Sequence, residues 1–224
     1  MSTLDDLRRV PLFSDLSEGD LVRFAEITRE REYPRNSVIL FEDDPGDSLY
    51  IVSTGQVKVV LIGEDGREVI LSVLNDGDFF GEMSLIDDEP RSAHVIAMKD
   101  SRLLVLRRDD FQQQINQHPS IAVKLLRVLV QRLRRADAKI GGLVLLDVNG
   151  RVAKLLVDLA DEGGGPRITR KLTHHTIAQM IGSSRETVSR AMRELADRGL
   201  VDVTRREITI KNREGLAALA GDRA

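Results

Sequence analysis

The stretch LTHHTIAQMIGSSRETVSRAMRELADRGLV, residues Leu172–Val201, decides the fold of the C-terminal part of the chain. It predicts two helices separated by a tight turn at Gly182, because glycine adopts the left-handed backbone conformation that such a turn needs. Thr173 is a good N-cap for the first helix, and Ser183 or Ser184 can cap the second. The second helix has one apolar face, which consists of Val188, Ala191, Met192 and Leu195.

A short helix, a glycine turn and a longer helix with polar groups at its beginning form the layout of a helix-turn-helix. The polar residues share one face of the second helix; they are Arg185, Glu186, Ser189 and Arg190. Arginine can donate two hydrogen bonds to guanine, and glutamate can accept one from cytosine. A solvated charged face is the alternative interpretation. The preceding helix, the turn and the alternating run Leu200–Ile210, which predicts a two-stranded wing, favour a helix that reads DNA bases.

The composition limits the class of protein. The 224 residues fit one large domain or two ordinary ones, and 42% hydrophobic with 31% charged residues is typical of a globular protein. Because the chain has no cysteine, disulfides, thiolate metal sites, cysteine-ligated iron–sulfur clusters and a cysteine nucleophile are excluded. No apolar run approaches the roughly 20 residues that span a membrane, and the N-terminus lacks the apolar core of a signal peptide. We therefore expect a cytoplasmic protein that does not bind membranes.

The net charge of −3 hides an asymmetry along the chain. Residues 1–148 contain 19 basic and 26 acidic side chains, whereas residues 149–224 contain 14 basic and 10 acidic ones. The first part is therefore acidic and the second part is basic, which suits a C-terminal part that binds a polyanion.

The N-terminal part combines helices with short strands. We expect residues 1–36 to be mostly helical, since FSDLSEGDLVRFAEI has apolar residues at near-helical spacing. From Ser37 to Arg108, short β-rich runs alternate with glycine, aspartate and proline, and the turn at Gly63–Gly66 predicts a hairpin. Together these patterns predict an α+β fold with a small N-terminal sandwich or β-barrel, which can hold one small ligand.

The stretch Asp109–Val148 turns helical again and contains a heptad seam. Its apolar residues recur at alternating spacings of three and four, which is the repeat of a coiled coil. One interpretation is a helix packed on its own barrel, and the other is a helix that pairs with a second copy in a parallel dimer. The strict seam with flanking charges favours the dimer. The predicted dimer residues are Leu126, Leu129, Leu133, Ala136, Ile140 and Leu143.

A second group of polar residues lies in NDGDFFGEMSLIDDEPRSAHV, residues Asn75–Val95. A phosphate needs hydrogen-bond donors and positive charge, which Arg91, Ser92 and nearby backbone amides can supply. A ribose hydroxyl needs an acceptor, which Glu82 can supply. Alone, each part is more often a turn or a surface pair, but together in a β-domain they predict a pocket for a sugar phosphate. The backbone amides belong to Gly81, Glu82, Met83 and Ser84.

With both groups of residues identified, the chain resembles the cyclic-AMP receptor protein/FNR (Crp/Fnr) family of bacterial transcription regulators. The resemblance covers nearly the whole chain and rests on PGDSLYIVSTGQVKV, GDFFGEMSLIDDEPRSA, LVLLDVNGRVAKLL and IAQMIGSSRETVSRAM, of which the last is the most specific. It implies a jelly-roll barrel that binds a cyclic nucleotide such as cAMP, a central dimerisation helix, and a winged helix-turn-helix that binds DNA. The implied segments are 1–117, 118–146 and 147–224.

The resemblance also implies how the nucleotide pocket is built. The residues that match the phosphate and ribose contacts are Gly81, Glu82, Arg91 and Ser92, and Arg132 matches a central-helix arginine near the nucleotide. One position departs from the family pattern. Members that respond to cAMP carry a Thr-Ser pair that contacts adenine across the dimer, whereas this chain has Ala136 and Asp137. In a parallel dimer, Asp137 can instead pair with Arg132 of the other chain, which predicts weak, altered or dispensable dependence on cAMP.

The DNA site and the partners follow from the same resemblance. Family members that keep this recognition helix bind half-sites resembling TGTGA in an inverted repeat, here TGTGA-N6-TCACA, as homodimers. The bound protein is then expected to recruit or block RNA polymerase. The predicted DNA-binding residues are Thr173, Ser184, Arg185, Glu186, Thr187, Ser189 and Arg190.

Other functions stay open at this point. The same DNA-binding regulator can respond to a cyclic dinucleotide or to no ligand, an alternative that Ala136 and Asp137 favour. A cyclic-nucleotide-binding module that acts on a protein partner is an alternative of a different class. An enzyme is disfavoured, because the sequence contains no nucleophile–base pairing, metal motif or Walker-type loop. The four histidines show no ligand spacing, so we expect no haem and no metal.

Overall fold

The computed structural model describes residues 2–169, 172–204 and 207–221. The chain divides into two compact units, Met1–Arg132 and Leu133–Ala224, and the boundary falls within a long helix. Within the described ranges, no helix is long and apolar enough to cross a membrane, and no group of histidine and acidic side chains could hold a metal ion. The division into three segments inferred from the sequence stays a prediction.

Two short helices open the first unit, and side-chain caps begin both of them. Helix α1 (Thr3–Arg8) starts with a capping box, in which the Ser2 hydroxyl accepts from the amide of Asp5 and the Asp5 carboxylate accepts from the amide of Ser2. Helix α2 (Glu18–Ile27) begins after Ser17, whose hydroxyl accepts from an amide in the first turn. These side-chain caps act between neighbouring residues and determine where both helices begin.

The strands of the first unit are β1 (Arg29–Tyr33), β2 (Val38–Leu40), β3 (Ser48–Thr54), β4 (Val57–Ile62), β5 (Glu68–Leu74), β6 (Phe79–Phe80), β7 (His94–Ala97) and β8 (Ser101–Arg107). They form two four-stranded antiparallel sheets with the orders β1-β8-β3-β6 and β2-β7-β4-β5. Alternate side chains of β3 belong to two cores. Leu49 and Ile51 pack with residues of the helices, whereas Tyr50 and Val52 pack with residues of the second sheet. The unit is therefore a β-sandwich flanked by helices.

The helices expected in residues 1–36 end at Ile27, and strand β1 follows within that range. The segment REREY pairs antiparallel with β8, with Arg31 opposite Leu103. Four of its five side chains are exposed, so the sequence shows no apolar alternation there. Charged side chains suit an edge strand, because they discourage further strand pairing. The pairing with β8, more than 60 residues later, makes this segment a strand, and no local pattern encodes it.

Three more helices complete the first unit and lead into the second. They are α3 (Met83–Asp87), α4 (Arg108–Gln117) and α5 (Pro119–Leu145). The helical stretch predicted from Asp109 onward is thus two helices, which are separated at His118. Proline suits the first position of α5, since it has no amide hydrogen and its φ is fixed near the helical value.

The helices of the second unit are α6 (Val148–Glu162), α7 (His174–Ile181), α8 (Arg185–Asp197) and α9 (Arg213–Leu219). Their apolar faces meet in one core, in which Val188 and Leu195 are fully buried. The Asp147 side chain caps α6 by accepting from the amide of Gly150 at 2.8 Å. Gly150 also lets α6 approach α9, because an added Cβ would lie 2.8 Å from the carbonyl oxygen of Leu219.

A small antiparallel sheet completes the second unit. Its strands are β9 (Arg167–Ile168), β10 (Val201–Val203) and β11 (Ile208–Ile210), in the order β10-β11-β9. The sequence pattern predicts only the last two strands, since the two residues of β9 are too few to show an alternation. Arg205 and Arg206 of the predicted wing lie outside the described residues.

Candidate functional site

The pocket predicted in the first unit is organised around Gly81, which follows β6. Its φ of +83° lies in the left-handed region that favours glycine. An added Cβ would lie 2.7 Å from Nη1 of Arg91 and 3.0 Å from the carbonyl oxygen of Ser48. Glycine therefore allows the backbone to approach the Arg91 guanidinium, and the Gly81 carbonyl accepts a 2.8 Å hydrogen bond from Nη1.

Arg91 is only 4% exposed and directs its guanidinium at backbone carbonyls. Nη2 donates to the carbonyl oxygen of Ser48 at 2.9 Å, whereas Nε is buried and has no partner. None of the ion pairs in the described part of the chain includes Arg91, and burial lowers the pKa of its guanidinium. Because a buried cation that forms no direct ion pair is costly, the site is suited to an anion such as a phosphate.

Glu82 adds a buried carboxylate that is 2% exposed. Its Oε1 accepts a 2.7 Å hydrogen bond from Nη1 of Arg132, but its Oε2 is buried and has no partner. Nη2 of Arg132 donates to the carbonyl oxygen of Phe79, and the Arg132 Cζ lies 4.9 Å from the centroid of the Phe79 ring. The free carboxylate oxygen is a ready acceptor for a hydroxyl group.

The bond to Glu82 also changes the expectation for Arg132. The guanidinium is engaged within its own chain, so a pair with Asp137 of a second chain would have to share or displace Glu82. Ala136 and Asp137 are exposed on α5 within the second unit. Their contact with a nucleotide stays a prediction.

The remaining predicted pocket residues differ in burial. Ser84 is 2% exposed and packs on Gly46, where an added Cβ would lie 2.2 Å from the Cβ of Ser84. Ser92 is exposed, and its hydroxyl donates to the sulfur of Met83 at 3.6 Å. The sequence reasoning did not place Gly46 and Ser48 in the site. They come from the PGDSLYIV motif, and Ser48 lies 43 residues before Arg91, so the two meet only in the folded sandwich, where β3 and the segment before β7 come from different sheets.

The apolar seam of α5 is largely exposed in the single chain. Leu126, Leu133 and Ile140 are 61%, 62% and 60% exposed, and Leu143 is 46% exposed. Leu129 differs, because it is partly buried against the core of the first unit. Large apolar side chains that stay exposed at heptad positions mark a helix face that a second helix can cover.

The second unit contains the predicted helix-turn-helix. The Thr173 hydroxyl accepts from the amide of Thr176 at 3.0 Å, and the Ser184 hydroxyl accepts from the amide of Thr187 at 3.1 Å, so α7 and α8 are both capped. Gly182 forms the turn with a φ of +64°. The inner face of α8 is buried and consists of Val188, Ala191, Met192 and Leu195.

The outer face of α8 presents polar groups at the start of the helix. Arg185, Glu186 and Arg190 are exposed, and Ser189 is half-buried. Hydrogen bonds from its own backbone amide and from Ser184 hold the pKa of the Glu186 carboxyl below its usual value. Two guanidinium groups and one ionised carboxylate on one exposed face can pair with the edges of bases in a major groove.

Two family profiles match separate parts of the chain. Residues 30–118 match a cyclic nucleotide-binding domain, and this range includes Glu82 and Arg91. Residues 150–219 match a Crp-like helix-turn-helix domain, and this range includes α7 and α8.

Relatives match over most of the chain. A CRP-like cAMP-activated global transcriptional regulator of Mycobacterium tuberculosis is 36% identical over 219 residues, which are 96% of this chain and 98% of the relative. The cAMP-activated global transcriptional regulator CRP of Salmonella typhimurium is 34% identical over 186 residues, 80% of this chain and 88% of the relative.

Solved structures give the same result. One is the structure of the c-di-GMP responsive global regulator CLP of Xanthomonas campestris, whose sequence is 25% identical to this chain. The two structures superpose with a TM-score of 0.76, and the match covers 87% of this chain and 99% of the other. Both sequence relatives are transcription regulators rather than enzymes. The chain therefore belongs to the Crp/Fnr family of transcription regulators, with an N-terminal cyclic nucleotide-binding domain and a C-terminal DNA-binding helix-turn-helix.

Proposed function

We propose that this regulator binds a cyclic nucleotide, with cAMP as the expected ligand, and that a homodimer then reads an inverted repeat resembling TGTGA-N6-TCACA. One observation carries the ligand assignment: Nε of the buried Arg91 and Oε2 of the buried Glu82 both lack a hydrogen-bond partner. The names of both sequence relatives describe them as cAMP-activated, which supports this nucleotide.

The charges of the pocket suit a cyclic phosphate joined to a ribose. The phosphate would accept from Nε of Arg91, from the Ser92 hydroxyl and from the amides of Gly81–Ser84. Nη1 and Nη2 of Arg91 can keep their bonds to backbone carbonyls, because Nε is the donor without a partner. The ribose 2′-hydroxyl would donate to Oε2 of Glu82. Nε of Arg91 and Oε2 of Glu82, the two buried pocket atoms without a hydrogen-bond partner, would each gain one.

The proposed DNA sequence suits the side chains of α8. A TGTGA half-site contains two guanines for Arg185 and Arg190, and its complementary strand offers the amino group of cytosine to Glu186. Thr173, Ser184, Thr187 and Ser189 would contact the backbone or the edges of the groove. A two-fold dimer would place its two copies of α8 about 34 Å apart, one turn of DNA.

The exposed seam of α5 supports the proposed dimer. The segments of the proposal are 1–117 for the nucleotide-binding domain, 118–146 for the central dimerisation helix and 147–224 for the DNA-binding domain. The ligand can promote DNA binding only through a higher affinity for the DNA-binding state. RNA polymerase is the proposed partner of the DNA-bound dimer.

A second candidate keeps the DNA function and changes the ligand. Ala136 and Asp137 stand where cAMP-responsive members carry the Thr-Ser pair, and the similar regulator of Xanthomonas campestris is described as c-di-GMP responsive. A cyclic dinucleotide, or no ligand, is therefore the alternative effector. A module that acts on a protein partner without DNA is the alternative of a different class.

The test is a binding titration with a labelled duplex that carries TGTGA-N6-TCACA, at one fixed salt concentration, with cAMP, with c-di-GMP and with neither. We expect specific binding with cAMP and its loss in an Arg91→Met variant. Arg67→Met is the matched control, because the Arg67 side chain is 87% exposed in the β4–β5 hairpin. Equal binding without any ligand would refute the nucleotide dependence, and no preference over a scrambled duplex would refute the DNA site.

A further inference from the structure

The side chain of the exposed methionine in the proposed pocket has no role in the function proposed above, which uses only its backbone amide. The chain has five methionines and no cysteine, so methionine supplies all of its sulfur. Met83 is 48% exposed, whereas Met192 is 2% exposed and Met98 and Met180 are half-buried. Among the methionines that the structure describes, Met83 is therefore the one most open to a dissolved oxidant.

The exposed sulfur of Met83 contacts Ser92, a residue of the proposed nucleotide pocket. The Ser92 hydroxyl donates its hydrogen to the Met83 sulfur at 3.6 Å. A thioether sulfur is a weak acceptor, so the hydroxyl can turn easily to a better one. Ser92 is also a proposed donor to the phosphate of the nucleotide. The sulfur and the ligand thus compete for the same hydroxyl hydrogen.

We propose that Met83 is an oxidation site and that its conversion to the sulfoxide by a peroxide weakens nucleotide binding. This inference rests on the proposed nucleotide pocket. In the step, a lone pair of the sulfur attacks one oxygen of hydrogen peroxide, the O–O bond breaks and an S–O bond forms. The sulfur loses two electrons, and the leaving hydroxide takes the proton of the transferred oxygen and departs as water. Methionine sulfoxide reductases can reverse such a change.

Oxidation changes the acceptor next to the Ser92 hydroxyl. The sulfoxide oxygen carries partial negative charge and is a much stronger acceptor than the thioether sulfur, so it holds the Ser92 hydrogen. The hydroxyl has one hydrogen to donate, and the phosphate loses that donor. The same oxygen also repels an anionic phosphate. Loss of one hydrogen bond to a charged group corresponds to a roughly tenfold rise in the dissociation constant.

The experiment uses the full chain and graded hydrogen peroxide. Peptide mass mapping follows the gain of one oxygen at each methionine, and calorimetric titration with cAMP follows the dissociation constant. We expect Met83 to react before Met98, Met180 and Met192, and the dissociation constant to rise about tenfold in parallel. Bound cAMP should slow the reaction at Met83, and treatment with a methionine sulfoxide reductase should restore the affinity.

Two variants separate this effect from general oxidative damage. Met83→Leu cannot form the sulfoxide, so its dissociation constant, whatever its starting value, should be the same before and after peroxide. Met98→Leu is the matched control and should keep the full response of the natural chain. A response that persists in Met83→Leu would overturn the inference.

Two different outcomes distinguish the oxidation site from the proposed ligand. Untreated protein that binds cAMP and keeps its affinity after Met83 is oxidised would overturn the oxidation site alone. Untreated protein without affinity for cAMP would overturn the proposed ligand and, with it, the effect of Met83 on that ligand.

Discussion

Replacement of Arg132 by leucine is expected to destabilise the first unit, because it leaves a buried carboxylate without its partner. The Glu82 side chain is 3% exposed, and its Oε1 lies 2.7 Å from Nη1 of Arg132. The variant also loses the hydrogen bond from Arg132 to the carbonyl oxygen of Phe79. Leucine keeps apolar contacts of the arginine stem but offers no donor.

The expected loss can be bounded from the geometry. Two unit charges 4 Å apart interact by about 4 kcal/mol at an effective dielectric constant of 20. Removal of one partner from a fully buried pair costs roughly 3–5 kcal/mol. The Arg132 side chain is 31% exposed, so water screens part of the interaction. We therefore expect the free energy of unfolding to fall by about 2 kcal/mol, and by less when Glu82 is first changed to glutamine.

The assay follows from the positions of the tyrosines. The chain has two tyrosines and no tryptophan, and both Tyr33 and Tyr50 lie in the first unit. Tyrosine fluorescence during urea unfolding therefore reports on this unit alone. The matched control is Arg127→Leu, which removes an exposed arginine of α5 in the same unit and should change the stability by less than about 0.5 kcal/mol.

A double-mutant cycle decides whether the pair itself is responsible. Glu82→Gln, Arg132→Leu and the double variant should give a coupling energy of about 1.5 kcal/mol. Purely additive losses, or a loss in Arg132→Leu no larger than in Arg127→Leu, would refute the reasoning.

Other predictions address single features. Gly81→Ala should destabilise the first unit by about 2 kcal/mol, because its φ is +83° and the new Cβ would lie 2.7 Å from a buried nitrogen; urea unfolding followed by tyrosine fluorescence measures this, and an unchanged midpoint would contradict it. Arg91→Met should weaken cAMP binding by about 30-fold, because a lost charge-assisted hydrogen bond corresponds to about 2 kcal/mol; calorimetry measures the change. Arg185→Ala should weaken binding to the TGTGA duplex by about 1–3 kcal/mol and should change binding to a scrambled duplex little. An equal loss of affinity for both duplexes would rule out base reading. Leu195→Ala should destabilise the second unit by about 2–5 kcal/mol, because the side chain is fully buried; far-ultraviolet circular dichroism during urea unfolding measures the loss.

In the proposed pocket, the requirements of ligand binding conflict with those of stability. An apolar residue in place of Arg91 would avoid the cost of burying a cation that forms no direct ion pair. The sequence keeps Arg91 there, and the orphan atoms of Arg91 and Glu82 remain without partners. Such unsatisfied groups are uncommon in folded proteins, and a ligand that completes their hydrogen bonding is the proposed reason for these two. Substitutions in the proposed pocket therefore test the ligand more directly than substitutions in the core.

Local signals in the sequence determined the helix-turn-helix. The caps at Thr173 and Ser184, the turn at Gly182 and the apolar positions of α8 each act within a few residues, so their outcome can be read without the rest of the fold. The seam of α5 belongs to the same group, because a heptad pattern is local. Its exposed leucines agree with the pattern, although the partner that would cover them stays a prediction.

Only the tertiary structure decided the features that depend on distant residues. The charged segment of β1 becomes a strand because β8 pairs with it, and β9 joins the wing because β11 offers a free edge. In the pocket, the packing of the sandwich brings the carbonyl of Ser48 to Arg91, and α5 brings Arg132 to Glu82. The sequence by itself therefore predicted which side chains would carry the chemistry. Their partners were decided by the packing of the sandwich and of α5, because those contacts join residues 43 and 50 positions apart.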